Sequence, residues 1–264
     1  KVLVSTELLV CAMLSILSAL SAGFIRVSAF CVMVGPTGKL RDAIHLGNPR
    51  WAKLDAYLQP IGGAVDLADG LAKRLGGALE LCVVTGAAKS VAALNEQQAD
   101  VGFFAIDPLR GAEIAFTAPY VLIEGCYLVR QDSPIQNNTQ VDATGNRIAV
   151  GTGSAYDLFL SREIKHAQLV REANVAGVVE AFLDQGLEVA AGIKQALQSK
   201  AQANAKLRLL DGHFMVIEQA MGVPKKYGAE VADFVNAFVN EMKTSGFVAA
   251  AVARHGVTGA SVAP

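Results

Sequence analysis

The sequence predicts an α/β protein of two similar units in succession, with a cleft between them. Three observations carry this expectation. Strand-like runs alternate with helical spacings through the first hundred residues, as in "ALELCVV", "AAKSVAALNEQQ" and "DVGFFAI". Such alternation places a sheet beneath helices on both faces. The same pattern restarts at "RIAVG", and the apolar, extended "PYVLIEGCYLVR" joins the two units without a floppy linker.

Each element has a local reason. "GPTGKLRDAIHLGNP" reads as a turn, a strand over residues 40–46 and a loop ended by Pro49. "VDLADGLAKRLGG" sets Val65, Ala68, Leu71 and Leu75 at helical spacing, and Gly76-Gly77 stops the helix. Val91 and Leu94 share one side of the next helix. In the second unit the tight turn "GTGS" leads into a helix, "AYDLFLSREIKHAQ". "VAGVVEAFLDQ" is a helix with Val175, Val178, Val179 and Phe182 as its stripe, and "LEVAAG" is a buried strand. "SKAQANAKLRLL" returns through a polar stretch to another strand. The tail is helical, with Val231, Phe234, Val235 and Phe238 in line and Gly246 as punctuation.

Composition narrows the function classes. The chain has 264 residues, and its net charge of −1 with no block of like charge argues against nucleic acid, which needs a cationic face. The four histidines and four cysteines are scattered without metal-ligand or redox spacing, so neither metal nor cofactor is expected. Residues 8–25 are almost free of charge and follow Lys1, and "RVSAF" offers a small-residue cleavage site after Ala29. That is the pattern of a secretory signal over residues 1–29, with Glu7 as its weak point. A membrane anchor is the alternative. A lipid anchor is disfavoured, because Phe30 precedes Cys31.

Two segments carry chemistry. In "IDPLRGAEIAFTAPY", Arg110 follows an Ile-Asp-Pro turn to whose geometry it contributes nothing. In "VGTGSAYDLF", Gly151 and Gly153 bend a strand into a helix, and Ser154 with Asp157 fits a capping box. The unpaired N–H groups and dipole of such a helix start favour an anion. The third Gly of a dinucleotide fingerprint is absent, since position 156 is Tyr. A guanidinium facing this turn would hold a carboxylate from both sides. The plain alternatives are an ordinary βα turn and a surface Arg110 paired with Glu113, a contact worth about 0–1 kcal/mol.

In their order, "GKLRDAIHLGNP", "VAALNEQQADVGF", "DPLRGAEIAFTAPY", "RIAVGTGSAYDLFL" and "FVNAFVNEMKTSGFVAAAVARHG" resemble the periplasmic (extracellular) solute-binding proteins of family 3, the polar amino-acid type, from Gly38 to Gly259. The resemblance implies a type II periplasmic-binding-protein fold, with each lobe a mixed sheet flanked by helices. The expected division is lobe 1 over residues 36–120, lobe 2 over residues 125–213 and a return to lobe 1 over residues 218–264. Two strand-like crossovers, near residues 119–124 and 214–219, would form the hinge.

It further implies a periplasmic monomer that captures a small carboxylate, an amino acid or related organic acid, by cleft closure and delivers it to an ABC transporter permease. Arg110 takes the carboxylate grip, completed by Thr152, Gly153 and Ser154. Ala105 and Asp107 line the pocket, while Asn48 and Trp51 cover the ligand's side chain. The family's ammonium-pairing Asp falls near Gly192 here. Asp107 is one substitute for it, and Lys194 would suit a second acidic group. The rival class is a cyclohexadienyl dehydratase-like enzyme, for which Glu124 or Glu188 would serve as general acid. A third, the sensor domain of a larger receptor, is disfavoured by the ending "GVTGASVAP".

Overall fold

The structure, a computed structural model, describes residues 23–264 except 24, 27, 35, 36, 47–50, 174 and 258. The apolar stretch 8–25 and Asn48 therefore lie almost wholly outside the described residues. Residues 28–33 are helical, and Ala29, Met33 and Val34 are buried in the main core.

In the first lobe, strand β1 (Lys39–His45) pairs in parallel with β4 (Ala78–Val84) and β5 (Val101–Ala105). A small hairpin of β2 (Lys53–Leu54) and β3 (Pro60–Ile61) precedes helix α1 (Gly63–Leu75), and α2 (Ala87–Asn95) links β4 to β5. Helix α1 buries Leu67, Ala68, Leu71 and Leu75, the predicted stripe with Leu67 in place of Val65. Gly76 ends it in the left-handed region at φ 82°, where a side chain is strained.

The second lobe repeats the plan. Strands β8 (Arg147–Gly151), β9 (Gln168–Glu172) and β10 (Val189–Ile193) are parallel, with β8 in the middle. Helices α3 (Ala155–Glu163), α4 (Val178–Asp184) and α5 (Lys194–Ala203) cover them. After the short strand β11 (Leu207–Leu209) and the crossover β12 (Met215–Pro224), the chain returns to the first lobe as α6 (Ala229–Thr244) and α7 (Phe247–Arg254). Gly246, at φ 79°, breaks the predicted tail helix into these two.

The lobes meet along two long strands. The start of β7 (Val121–Arg130) pairs with β12 through Val121–Gly125 and Met215–Gln219, its far end with β10 and β11. The far end of β12 pairs with β5 and with the short strand β6 (Ile114–Phe116). The two lobe sheets are thus one continuous sheet, ordered β4-β1-β5-β12-β7-β10-β8-β9. A last strand, β13 (Ala260–Val262), also pairs with β7. Both crossovers coincide with the segments read as extended in the sequence. Among the described residues no helix is long and apolar enough to cross a membrane.

One core residue breaks the pattern. Side chains alternate along a strand, so Asp42 shares a face with Leu40 and Ile44. It is fully buried, and neither carboxylate oxygen has a hydrogen-bond partner. Burial pushes its pKa well above the ordinary carboxylate range, so the folded chain keeps a proton that the unfolded chain releases near pH 4. Stability from this group is therefore present at acid pH and declines as pH rises above that point. Asp42→Val should raise unfolding stability by about 1–3 kcal/mol at pH 7. It should also flatten the decline between pH 5 and pH 8, measured by urea denaturation at both.

Candidate functional site

A cleft of about 890 Å³ opens between the lobes. Its first-lobe wall comes from the ends of β1, β4 and β5, and its second-lobe wall from the turn after β8, the start of α3 and the end of β10. Carboxyl ends of parallel strands meet here, which is where open α/β sheets place ligands.

Arg110 stands at the centre. It opens a short 3₁₀ turn after β5 and is only 6% exposed. Its guanidinium donates to the carbonyl of Ala105 at 3.2 Å and, across the cleft, to that of Gly153 at 2.9 Å. Burial lowers its pKa, with Asp107 opposing that effect, yet a guanidinium stays charged inside proteins. The surface alternative, a pair with Glu113, is excluded by this burial.

The opposing turn is held by its own side chains. Gly153, at φ 67°, adopts the left-handed region and aims its carbonyl at Arg110. A Cβ there would lie 3.2 Å from Cβ of Ala88 on α2, so the position is confined from the facing lobe as well. Asp157 accepts the Gly153 N–H at 2.8 Å and bonds Arg171 at 2.9 Å. Ser154 Oγ caps α3 by accepting from Asp157 N at 3.1 Å. Thr152 N and Ser154 N donate to the carbonyls of Glu172 and Gly151. The turn's N–H groups are thus engaged within the lobe. Thr152 and Ser154 line the cleft with their side chains, and Ala155 and Tyr156 begin the helix there.

Trp51 and Ala105 also line the cleft. Trp51 is 3% exposed and stacks on Tyr120, ring centroids 5.3 Å apart. It reaches this place because Gly62 and Gly63 lack side chains: a Cβ at Gly63 would come within 2.7 Å of the indole ring. Trp51 is at once a cleft wall and lobe packing.

Other expectations need correcting. Asp107 does not line the cleft: it accepts from Leu109 N at 2.9 Å and bridges to Arg162 of the second lobe at 2.8 Å. Its role is a turn and an interlobe ion pair. Lys194 opens onto a separate hollow of about 550 Å³ behind the crossover strands, where it bonds Glu124 at 2.5 Å. That pair holds Glu124 below the usual carboxylate range, and Arg147 does the same for Glu188. Neither glutamate lines the cleft, so the proposed general acids are ionised and elsewhere. Gly192 does line it, and a Cβ there would meet Leu197 at 3.3 Å. Among the described residues no group of acids, histidines and cysteines is placed to hold a metal, and Cys31, Cys82 and Cys126 are free thiols.

Sequence reading missed His45. It ends β1 in the cleft wall, and its Nδ1 is buried without a partner. Burial, with Arg110 nearby, lowers its pKa to about 4. A lone histidine at a strand end gives no signal in sequence; only the fold brings it beside Arg110.

With the geometry in hand, comparisons with known proteins are informative. The family model for bacterial extracellular solute-binding proteins, family 3, matches residues 43–258. A search of curated proteins finds no match. Solved structures match in fold. The P235GK mutant of ArgBP from T. maritima is 22% identical with TM-score 0.71, covering 84% of this chain and 96% of that one. The solute receptor for L-cysteine of Neisseria gonorrhoeae is 22% identical with TM-score 0.72, over 84% and 91%. The ancestral amino acid-binding protein AncCDT-1, a precursor of cyclohexadienyl dehydratase, is 20% identical with TM-score 0.69, over 84% and 96%.

The depressed pKa of His45 has a consequence for stability. The folded chain keeps it neutral while the unfolded chain protonates below about pH 6.5. Stability from neutral His45 is present above pH 6.5 and is lost as pH falls towards 4. The loss should reach at most about 3 kcal/mol. Urea unfolding at pH 7 and pH 4.5 should show it on an Asp42→Val background, where the opposing dependence is removed, with a smaller drop when His45→Asn is added.

Proposed function

The chain belongs to the bacterial extracellular solute-binding proteins, family 3, and from that premise we propose that it captures a small carboxylate ligand and hands it to an ABC importer. The observation that carries this reading is the buried guanidinium of Arg110, set between the lobes and bonded to the far one through Gly153. Its remaining N–H donors suit the two oxygens of a carboxylate, and the contact gains strength where water is excluded. Ala105, Thr152, Ser154 and Trp51 complete the ligand's surroundings.

Capture proceeds by rotation of the lobes about β7 and β12. A ligand that touches both walls binds the closed arrangement better than the open one, and that difference drives closure. The protein acts in the periplasm as a monomer, exported by its N-terminal segment. Binding rather than catalysis is favoured because the two candidate acids, Glu124 and Glu188, are committed to Lys194 and Arg147.

A thermal-shift screen of carboxylates tests the reading. A true ligand at 100 times its Kd should stabilise by about 2.7 kcal/mol. Arg110→Gln should weaken that ligand at least 100-fold, about 2.7 kcal/mol, with the unliganded melting midpoint as folding control. Full binding by a folded Arg110→Gln variant would refute the carboxylate clamp.

A further inference from the structure

Resting on the carboxylate clamp, we infer that the ligand is a monocarboxylate with an apolar body and no ammonium group, of the 2-oxo acid or simple aliphatic or aromatic acid class. Charge around the cleft points this way. Among the described residues that line the cleft, the cations are Arg110 and Lys200, and Lys200 is already paired with Glu180 at 2.5 Å. Among the same residues there is no Asp or Glu.

Of the acids near the cleft, Asp42 is fully buried on β1 without a partner and does not line the space, and three others are bonded elsewhere. Asp107 is bonded by Leu109 N and Arg162, Asp157 by Gly153 N and Arg171, and Glu172 by Gln185. On the cleft floor, Gly192 offers no side chain, and Leu197 fills the space where one would begin.

A carboxylate neutralises Arg110. A zwitterion would neutralise it and then leave an ammonium in the same low-dielectric space, facing only neutral groups. Burying a cation without an anionic partner is costly. The site has already expelled one positive charge, since His45 is held neutral beside Arg110. The remaining wall suits an apolar body: Leu46, Trp51, Phe103, Val175, Ile193 and Ile217. Gln219, 8% exposed on β12, lines the cleft as well, the one side-chain amide among its described lining residues.

The test is a calorimetric panel on the purified chain. It uses straight, branched and aromatic skeletons of three to nine carbons, each as the saturated acid, the 2-oxo acid, the α-amino acid and the amine. The tightest binder should be a saturated or 2-oxo acid, at least 10-fold tighter than the amino acid on the same skeleton, and weakened in folded Arg110→Gln and Arg110→Lys variants. If an amino acid binds as tightly as its 2-oxo counterpart or tighter, this inference falls and carboxylate capture stands. If only amines bind, if no member binds, or if acids bind regardless of Arg110, the carboxylate clamp itself falls and this inference with it.

Discussion

A buried guanidinium has to be compensated, and much of this structure answers that need for Arg110. Taking a cation out of water costs several kcal/mol unless hydrogen bonds and opposite charge replace the solvent. Two carbonyls supply part of the replacement, one from its own lobe and one from the other. Neutral carbonyls satisfy donors without cancelling charge. An anion placed against the remaining donors would supply what they leave out, which is the physical basis of the proposed carboxylate clamp. The same bond to Gly153 ties the approach of the lobes to the state of the cleft.

That coupling depends on how the lobes are joined. The paired stretch of β7 and β12 keeps both sheets in register, and in the proposed closure it is the axis about which the Gly153 turn approaches Arg110. Ala88 against Gly153 and the Asp107–Arg162 ion pair lie on the same interlobe seam. Arg162 is 43% exposed while Asp107 is nearly covered, so solvent screens the pair and its share in holding the seam is small. Its clearer effect is to occupy Asp107 and keep that charge out of the ligand space.

Much of the fold was legible because local pattern and tertiary role agreed. Strand β10 is buried almost throughout, as its apolar run predicts, and helices α1 and α6 bury most of the stripes that their spacing predicts. Agreement failed where a distant partner decided. The pattern runs the helix after "GTGS" to residue 168, yet it stops at Glu163. Asp142 accepts the N–H groups of Lys165, His166 and Ala167, drawing the chain off the helix and into edge strand β9. The stretch read as a polar return, residues 199–210, begins inside α5, whose weak signal was Leu197 and Ala201 one turn apart, both packed in the second-lobe core. Strand β13 is short and owes its existence to β7. In the site, Arg110 and the Gly turn carried their own signals. For Asp107 and Lys194, sequence gives the charge but not the partner, and Arg162 and Glu124 had claimed them.

The capped turn also fixes what kind of recognition is open to this cleft. A Gly-rich helix start can hold an anion with its N–H groups alone. Here Asp157 takes the Gly153 N–H, and Glu172 and Gly151 take those of Thr152 and Ser154. The turn gains rigidity and loses part of its capacity as an anion nest. Asp157 also places a negative charge behind the helix start, partly balanced by Arg171, which lessens the pull of the dipole on an incoming anion. In the proposed clamp, recognition of charge falls chiefly on Arg110, whose guanidinium the turn bonds through the Gly153 carbonyl. On the proposed reading, a cleft whose described wall holds Arg110, a Lys200 already paired with Glu180, and mostly apolar side chains favours one negative charge and shape over a second charged pole.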